Sequence, residues 1–369
     1  MLDLPPVLAT PRDLDPEGLA GVEAVLEAHV DRQAAALVEV DASLHEVVVG
    51  LRALLQGGKR LRAAFCLAGA RAAPGPHEDV PGVWPAAAAL EMFHLAALVH
   101  DDVMDRSEQR RNQPTVHRAF SERHATEHYD GDPRTFGDGV AVLAGDLCLT
   151  WSDDLLSAAQ AAAGRHRPER SRAARRVWEE MRTQVLAGQY LDLLGQARPG
   201  SGSAAADRVL IYKSAKYTVT HPLLLGAALG GADTLLLDQL DRFGLAVGEA
   251  FQLRDDVLGV FGDPDLTGKP VSDDVREGKR TLLVTYAAEH GTTAQRGVLE
   301  RHLGDPDGGA DGLRAVREVI TGTGALGRVE ARIESRIEQA HDVLATMGVD
   351  ERTRRTLGAL SDACAWRAA

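Results

Sequence analysis

Two acidic groups, each set in an otherwise apolar stretch, are the residues of this 369-residue chain whose types and spacing point most directly to chemistry. The first closes the run LEMFHLAALVHDDVMD, residues 90–105, with Asp101, Asp102 and Asp105. On a helix Asp101 and Asp105 stand one turn apart, and Asp102 lies three residues before Asp105, so the spacing brings three carboxylates to one face. Like charges so placed, on an element otherwise fit for the core, cost stability unless a cation sits between them. A hard, oxygen-ligated metal answers that need, and an open carboxylate set facing phosphate is the usual arrangement for Mg²⁺. The second group, Asp255 and Asp256, lies in FQLRDD within the apolar stretch 244–261. Metal ions held between two such sets can chelate a diphosphate, neutralise it and make it a leaving group. The pairs Asp153–Asp154 and Asp273–Asp274 read instead as solvated helix ends.

The cations are equally selective. Of 41 basic residues 36 are Arg and only five are Lys: Lys59, Lys213, Lys216, Lys269 and Lys279. With arginine used almost everywhere the surface tolerates it, the surviving lysines mark places where a compact, flexible ammonium is needed. Lys269 and Lys279 stand in the segment GDPDLTGKPVSDDVREGKR that follows the second acidic pair, and Arg110 and Arg111 follow the first. Against these local cations stands a formal net charge of −13, which repels a nucleic-acid backbone at long range and excludes non-specific binding to one.

The elements that must position these groups read as helices. Ala- and Leu-rich segments with apolar residues at three- and four-residue spacing cover 19–37, 84–104, 140–163, 177–194, 205–229 and 235–261, and alternating strand patterns are nearly absent. Segments 86–99 and 222–232 are apolar almost all round, which implies central burial. The expectation is an all-α, single-domain bundle of about a dozen helices. Loops are expected at 73–84, 130–138, 198–203, 262–269 and 304–312, where Pro, Gly and Ser gather. Residues 1–17 read as an N-terminal arm and 18–369 as the domain. The longest apolar run, Pro85 to Val99, is interrupted by Glu91 and His94, so no membrane span or secretory signal is expected. Three dispersed cysteines, Cys66, Cys148 and Cys364, suggest neither a disulfide framework nor a zinc site and fit a reducing cytoplasm.

Taken in order, nine short motifs resemble those of the trans isoprenyl diphosphate synthases, the polyprenyl synthetase family. They are GGKRLR (57–62), His94, DDVMD (101–105), RRNQPT (110–115), GDL (145–147), GQYLD (188–192), KSA (213–215), FQLRDD (251–256) and GK (268–269). The resemblance implies an all-α bundle around a deep central cavity and head-to-tail condensation of an allylic diphosphate with isopentenyl diphosphate, assisted by Mg²⁺, in a homodimer. By that resemblance Asp101, Asp105 and Asp255 ligate the metal, with Asp102 and Asp256 in support. Arg110, Lys213 and Lys269 hold the allylic diphosphate, and Lys279 occupies a further basic position on the closing loop. Gly58, Lys59, Arg62, His94 and Arg111 hold the isopentenyl diphosphate, while Ser214, Gln252 and the Lys213 backbone face the allylic cation.

The chain departs from the pattern at three places. Gly259 stands where the second acidic motif has its third Asp, which weakens the outer part of that site. Ser214 replaces Thr, and Asn112 and Gln113 replace the usual Gly and its neighbour, with no evident chemical consequence. The resemblance implies that product length follows from the side chains before the first acidic motif: Ala96 and Ala97 are small, and Phe93, eight residues before Asp101 and roughly 12 Å down the helix from it, is the expected floor for a geranylgeranyl-length product. The competing readings are a farnesyl or longer polyprenyl synthase, a class I terpene cyclase and a silent subunit. The cyclase reading lacks its asparagine-led metal motif, because Asn112 is the sole asparagine.

Overall fold

The computed structural model describes residues 10–73, 80–165, 167–198, 200–262, 273–305 and 307–366. In chain order the helices are α1 (Pro11–Leu14), α2 (Pro16–Val40), α3 (His45–Leu55), α4 (Leu61–Ala72), α5 (Val83–Met104), α6 (Val116–Thr126), α7 (Pro133–Gly164), α8 (Pro168–Ala197) and α9 (Ser203–Val209). A π-helical segment (Leu210–Thr220) runs into α10 (His221–Gly230), followed by α11 (Thr234–Phe261), α12 (Asp273–Arg276), α13 (Leu282–His290), α14 (Thr293–His302), α15 (Gly309–Gly322), α16 (Ala325–Thr346) and α17 (Glu351–Ala365). The fold is the all-α bundle expected.

Its centre is formed by the two helices that lack a polar face. In α5, Ala86, Ala87, Ala88, Ala89 and Leu90 are all fully buried, because α2, α4 and α7 pack around it. By length and composition α5 could cross a bilayer; in this fold its apolar surface is covered by protein. α10 lies against α4 at near backbone contact: a Cβ at Gly226 would stand 1.8 Å from the Cys66 carbonyl oxygen. Small residues thus let the central helices approach and carry the acidic end of α5 to a fixed height.

Within the expected arm, residues 10–17 are anchored: Thr10 caps α1, Pro11 is buried, and buried Asp15 caps α2 and pairs with Arg71 at 2.6 Å. Two sequence expectations are corrected. The loop expected over 130–138 ends early, because Asp132 caps α7 and Pro133 starts it with an unneeded N–H already missing. The helix expected over 205–229 is broken into α9, the π segment and α10. Pro222 has no N–H to donate to the fourth residue before it, and His221 N–H reaches instead five residues back to the Lys216 carbonyl.

Candidate active site

α5 presents His94, Ala97, Leu98 and Asp101 at helical spacing to a cavity of about 310 Å³. Opposite stand Gln252, Asp255 and Asp256 of α11, with Lys213 and Ser214 of the π segment, Arg62 of α4, and Lys279 beyond α12. The structure therefore brings both acidic motifs and most of the basic ones to one opening. Lys269 lies outside the described residues.

The three carboxylates of α5 take separate roles. Asp101 faces the cavity and is paired with Lys213 at 3.1 Å and more distantly with Arg110 at 3.9 Å. Burial opposes its ionisation, but Lys213, Lys279 and Arg110 together hold the carboxyl below its ordinary range. Asp102 is fully buried, and its carboxylate accepts from Arg110 Nε at 2.9 Å and from Nη2. Three carboxylates sharing one open face is therefore corrected: of the three only Asp101 lines the cavity, Asp102 anchors the arginine that follows it, and the Asp105 side chain is buried. Asp105 closes the helix as its C-cap. Its two carboxylate oxygens are buried and accept no hydrogen bond, and the Lys279 ammonium lies at 3.5 Å. Burial, followed by the charge of Asp101, pushes the Asp105 carboxyl up to about 6.

An unsatisfied buried carboxylate beside a second one is what a divalent cation would complete. Among the described residues no three His, Cys, Asp or Glu side chains gather into a complete cage. That donor set fits Mg²⁺, which is commonly held by one or two carboxylates together with substrate phosphate. Lys213 bridges Asp101 and Asp192, the latter at 2.6 Å. Although burial works against its charge, these two carboxylates raise its pKa. Gln252 donates to Asp256 at 2.8 Å, but burial and the neighbouring Asp255 and Asp274 still raise the Asp256 carboxyl well above its usual range.

A second basic group gathers around the start of α4. Arg110 and Arg111 sit in a short antiparallel hairpin, Gln109–Arg110 against Gln113–Pro114. Arg111 and Asn112 both adopt left-handed backbone, with φ of 55° and 59°, as a type I′ turn requires. Asparagine tolerates that conformation, so its presence has a backbone reason that sequence reasoning missed. The turn sends the two guanidinium groups to different destinations. Arg110 lines the cavity, while Arg111 donates to the carbonyls of Leu54 and Gln56 in the segment leading to Gly58 and Lys59. A Cβ at Gly58 would come within 2.9 Å of Arg111 Nη2. Lys59 is exposed on this loop. Arg62 donates to Thr218 at 3.0 Å and lies over the Tyr217 ring at 4.3 Å. Burial, and then Arg62, Arg111, Arg110 and Arg60 in that order, depress the pKa of His94 well below the ordinary value, so its imidazole is neutral at pH 7.

Four contributors carried no role in the sequence reading. Asp192 and Gln189 lie in the motif GQYLD and reach Lys213 and Asp101. Tyr217 lies one turn beyond Lys213. Buried Glu91 accepts the Ala63 N–H at 3.1 Å and pairs with Arg60 at 3.3 Å. Three residues before His94 on α5, it is the counter-charge within the arginine group. The expected product floor is also relocated: Phe93 does not border the cavity, but packs edge-on behind Tyr217 at 5.8 Å and against Trp178 at 5.7 Å. Ala97 borders the cavity and Ala96 is buried behind it.

This arrangement, one cavity with two carboxylate sets and two cation sets, has counterparts. The sequence model of polyprenyl synthetases matches residues 47–320. The chain belongs to the polyprenyl synthetase family. A geranylgeranyl pyrophosphate synthase from Corynebacterium glutamicum, solved with isoprenyl diphosphate and magnesium, superposes with a TM-score of 0.89 and 36% identity over 96% of this chain and 99% of that one. A geranylfarnesyl diphosphate synthase from Aeropyrum pernix is 32% identical over 85% of this chain and 91% of its own length. A (2E,6E)-farnesyl diphosphate synthase from Mycobacterium tuberculosis is 33% identical over 80% and 76%. As a polyprenyl synthetase the chain is a trans-prenyltransferase.

Proposed function

We propose that this prenyltransferase joins isopentenyl diphosphate head-to-tail to an allylic diphosphate, acts as a homodimer, and releases mainly geranylgeranyl diphosphate. The carrying observation is that one cavity meets two basic groups. Lys213, Lys279 and Arg110 stand at the carboxylates, whereas Arg62, beside neutral His94, lines the cavity at the α4 end, with Arg111 tied to the loop that carries exposed Lys59. One diphosphate substrate requires one set; a condensation between two requires both. This favours elongation over a terpene cyclase.

In this reading Asp101, Asp105 and Asp255 hold Mg²⁺, with Asp256 in support, and Arg110, Lys213, Lys269 and Lys279 bind the allylic diphosphate. Bound Mg²⁺ neutralises that diphosphate and eases its departure. The C–O bond breaks, the bonding pair leaves with diphosphate, and Ser214, Gln252 and the Lys213 carbonyl face the allylic cation that remains. Gly58, Lys59, Arg62, His94 and Arg111 orient isopentenyl diphosphate so that its double bond attacks the cation, after which a proton passes to the released diphosphate. The apolar side chains of Ala97, Val185 and Leu210 border the space between and keep water from the cation.

Product length rests on the small side chains at Ala96 and Ala97 and on Tyr217 backed by Phe93. Shortening Phe93 to Ala is expected to let Tyr217 withdraw and lengthen the product by at least one unit; unchanged product length would remove Phe93 from this role. A second copy is supported by apolar side chains on α7 and α8, where Leu143, Leu186 and Tyr190 are 65%, 60% and 64% exposed. The test incubates the protein with Mg²⁺, labelled isopentenyl diphosphate and dimethylallyl, geranyl or farnesyl diphosphate, then resolves products by length. A dominant geranylgeranyl product supports the full reading. A farnesyl or longer product keeps the reaction and discards the length, and folded protein giving no product makes it a silent subunit.

A further inference from the structure

Asp274 borders the active-site cavity, which corrects the solvated helix end expected at 273–274. The charged cluster that the reaction leaves unused is basic and lies at the other end of the bundle. Residues 165–176, the turn from α7 into α8 and the first turns of α8, carry six arginines against one acid, Glu169, in a chain of net charge −13. Two of the six have structural tasks. Arg175 pairs with Asp153 at 3.0 Å and with Glu179 at 2.9 Å. Arg170 lies on the C-terminus of α10, where a Cβ at Gly231 would stand 2.4 Å from its Nε and where a cation suits the helix dipole. Arg165, Arg167, Arg172 and Arg176 are exposed, and among the described residues no carboxylate pairs with them.

Close contacts fix what stands beside these four. A Cβ at Gly82 would come within 2.3 Å of the Ala159 carbonyl oxygen, so the start of α5 abuts the last turns of α7, and Gly231, under Arg170, leads into α11. This end of the bundle therefore joins the arginines to Trp84 and Leu235, two apolar side chains 48% and 66% exposed. Trp84 lies against α2, where a Cβ at Gly21 would stand 2.6 Å from its ring. The acids nearby are engaged: Asp233 caps α11 and Asp350 caps α17, while Glu17 shares a groove with Arg71 and Arg352. Asp101 stands further along α5, about 27 Å from this end at 1.5 Å per residue.

Unpaired arginines beside a half-exposed tryptophan match one kind of partner. Lipid phosphates attract each guanidinium group, and an indole settles at the boundary between headgroups and acyl chains. A nucleic acid or an acidic protein would engage the arginines and leave Trp84 in water. The net negative charge weakens attraction at long range, but at contact the local charge within a Debye length of roughly 10 Å governs.

We propose that this end of the bundle docks on an anionic phospholipid bilayer through Arg165, Arg167, Arg172 and Arg176, with Trp84 and Leu235 entering the headgroup region. Docking there leaves the acidic motifs at the far end, clear of the lipid, and puts the bilayer on the side toward which the cavity runs from Asp101 down to His94. The inference is independent of the elongation reading and of product length.

The test mixes the full chain with vesicles of phosphatidylcholine, alone or with phosphatidylglycerol added, and follows co-sedimentation and tryptophan emission. Binding is expected to the anionic vesicles only, and to fall as salt rises. Each arginine near an anionic surface is worth about five-fold in affinity, so Arg167→Gln/Arg172→Gln/Arg176→Gln is expected to weaken binding on the order of 100-fold. Lysine at the same three positions keeps the charge and is expected to bind as the parent does. Parent emission is expected to shift to the blue on anionic vesicles, and Trp84→Phe to lose that shift, since Trp151 and Trp178 are already buried. Parent protein that ignores anionic vesicles overturns the proposal, as does unchanged binding in the glutamine variant while its thermal unfolding matches the parent. Equal binding to soluble polyglutamate, with no blue shift on vesicles, makes the patch a site for acidic macromolecules and overturns it as well.

Discussion

At the scale of single residues, the site is governed by which buried charges have partners. Glu91 is the clearest case. It is 4% exposed, on a helix otherwise devoted to apolar packing, yet it is held by Arg60 and by the N-terminal amide of Ala63. Arg60 takes left-handed backbone with φ of 53° and offers α4 no side-chain cap, so Glu91 caps that helix from a distance. It thereby fixes the turn that carries Lys59 and Arg62. Glu91→Gln keeps an acceptor for Ala63 but loses the charge facing Arg60. A buried charged hydrogen bond left unmade costs about 1–3 kcal/mol, which corresponds to roughly 5- to 150-fold in affinity. The KM for isopentenyl diphosphate is expected to rise by a factor in that range while the KM for the allylic substrate stays within about two-fold. Steady-state kinetics with each substrate varied in turn reads the difference, and an equal rise in both would mean that Glu91 supports the fold alone.

At the scale of elements, Lys213 and the backbone carbonyl proposed to face the allylic cation are presented by a helix that is locally too wide. The π segment survives because two neighbours leave room for it: a Cβ at Gly188 of α8 would stand 2.3 Å from Lys213 N, and one at Gly248 of α11 would stand 2.4 Å from the Ala215 carbonyl oxygen. Gly188→Ala must push the Lys213 backbone away, and a displacement on the order of 1 Å at a reacting geometry can cost about 100-fold in rate. A loss of that order in kcat, with α-helical circular dichroism retained, is the expected result; near-parent kcat would show that α8 gives way instead. This element also marks where reading the sequence stops. The apolar α5 with Asp101 and Asp105 at its end was legible, because periodicity and charge carry it, and so was the order of the basic motifs. The π segment was not, since Pro222 two residues inside an apolar stretch also suits an ordinary helix start. Nor was Glu91, whose contacts with Arg60 and Ala63 need α4 to be packed beside it. The exchange of Asp102 from cavity to Arg110 likewise depends on a turn type, set by Arg111 and Asn112, that residue spacing does not encode.

At the scale of the whole molecule, a chain of net charge −13 concentrates its functional cations around one opening and holds them there with carboxylates before any substrate arrives. The balance between protons, lysines and metal at that opening should therefore appear in global stability. In the folded chain Asp105 has its pKa raised to about 6 by burial and by Asp101, whereas an unfolded Asp titrates near ~3.9. A group with a raised folded pKa stabilises the fold below its unfolded value, and that contribution is lost as pH rises through about 6. Above this range the buried carboxylate is charged and inadequately neutralised, which is the state Mg²⁺ relieves; below it, Mg²⁺ must first displace a proton. The increase in Tm on adding saturating Mg²⁺ is thus expected to be larger at pH 7.5 than at pH 5. Buried His94, His117 and His221 have depressed pKa values and destabilise the fold as pH falls below the unfolded histidine value. Their effect is present with and without metal and largely cancels in the Mg²⁺-induced difference. Asp105→Asn removes the titrating group while keeping its size, so the Mg²⁺ shift should become small and nearly equal at the two pH values. Thermal unfolding of parent and variant, each with and without Mg²⁺, decides the matter. Equal shifts for the parent at pH 5 and 7.5 would mean that Asp105 is not the group whose proton the metal displaces.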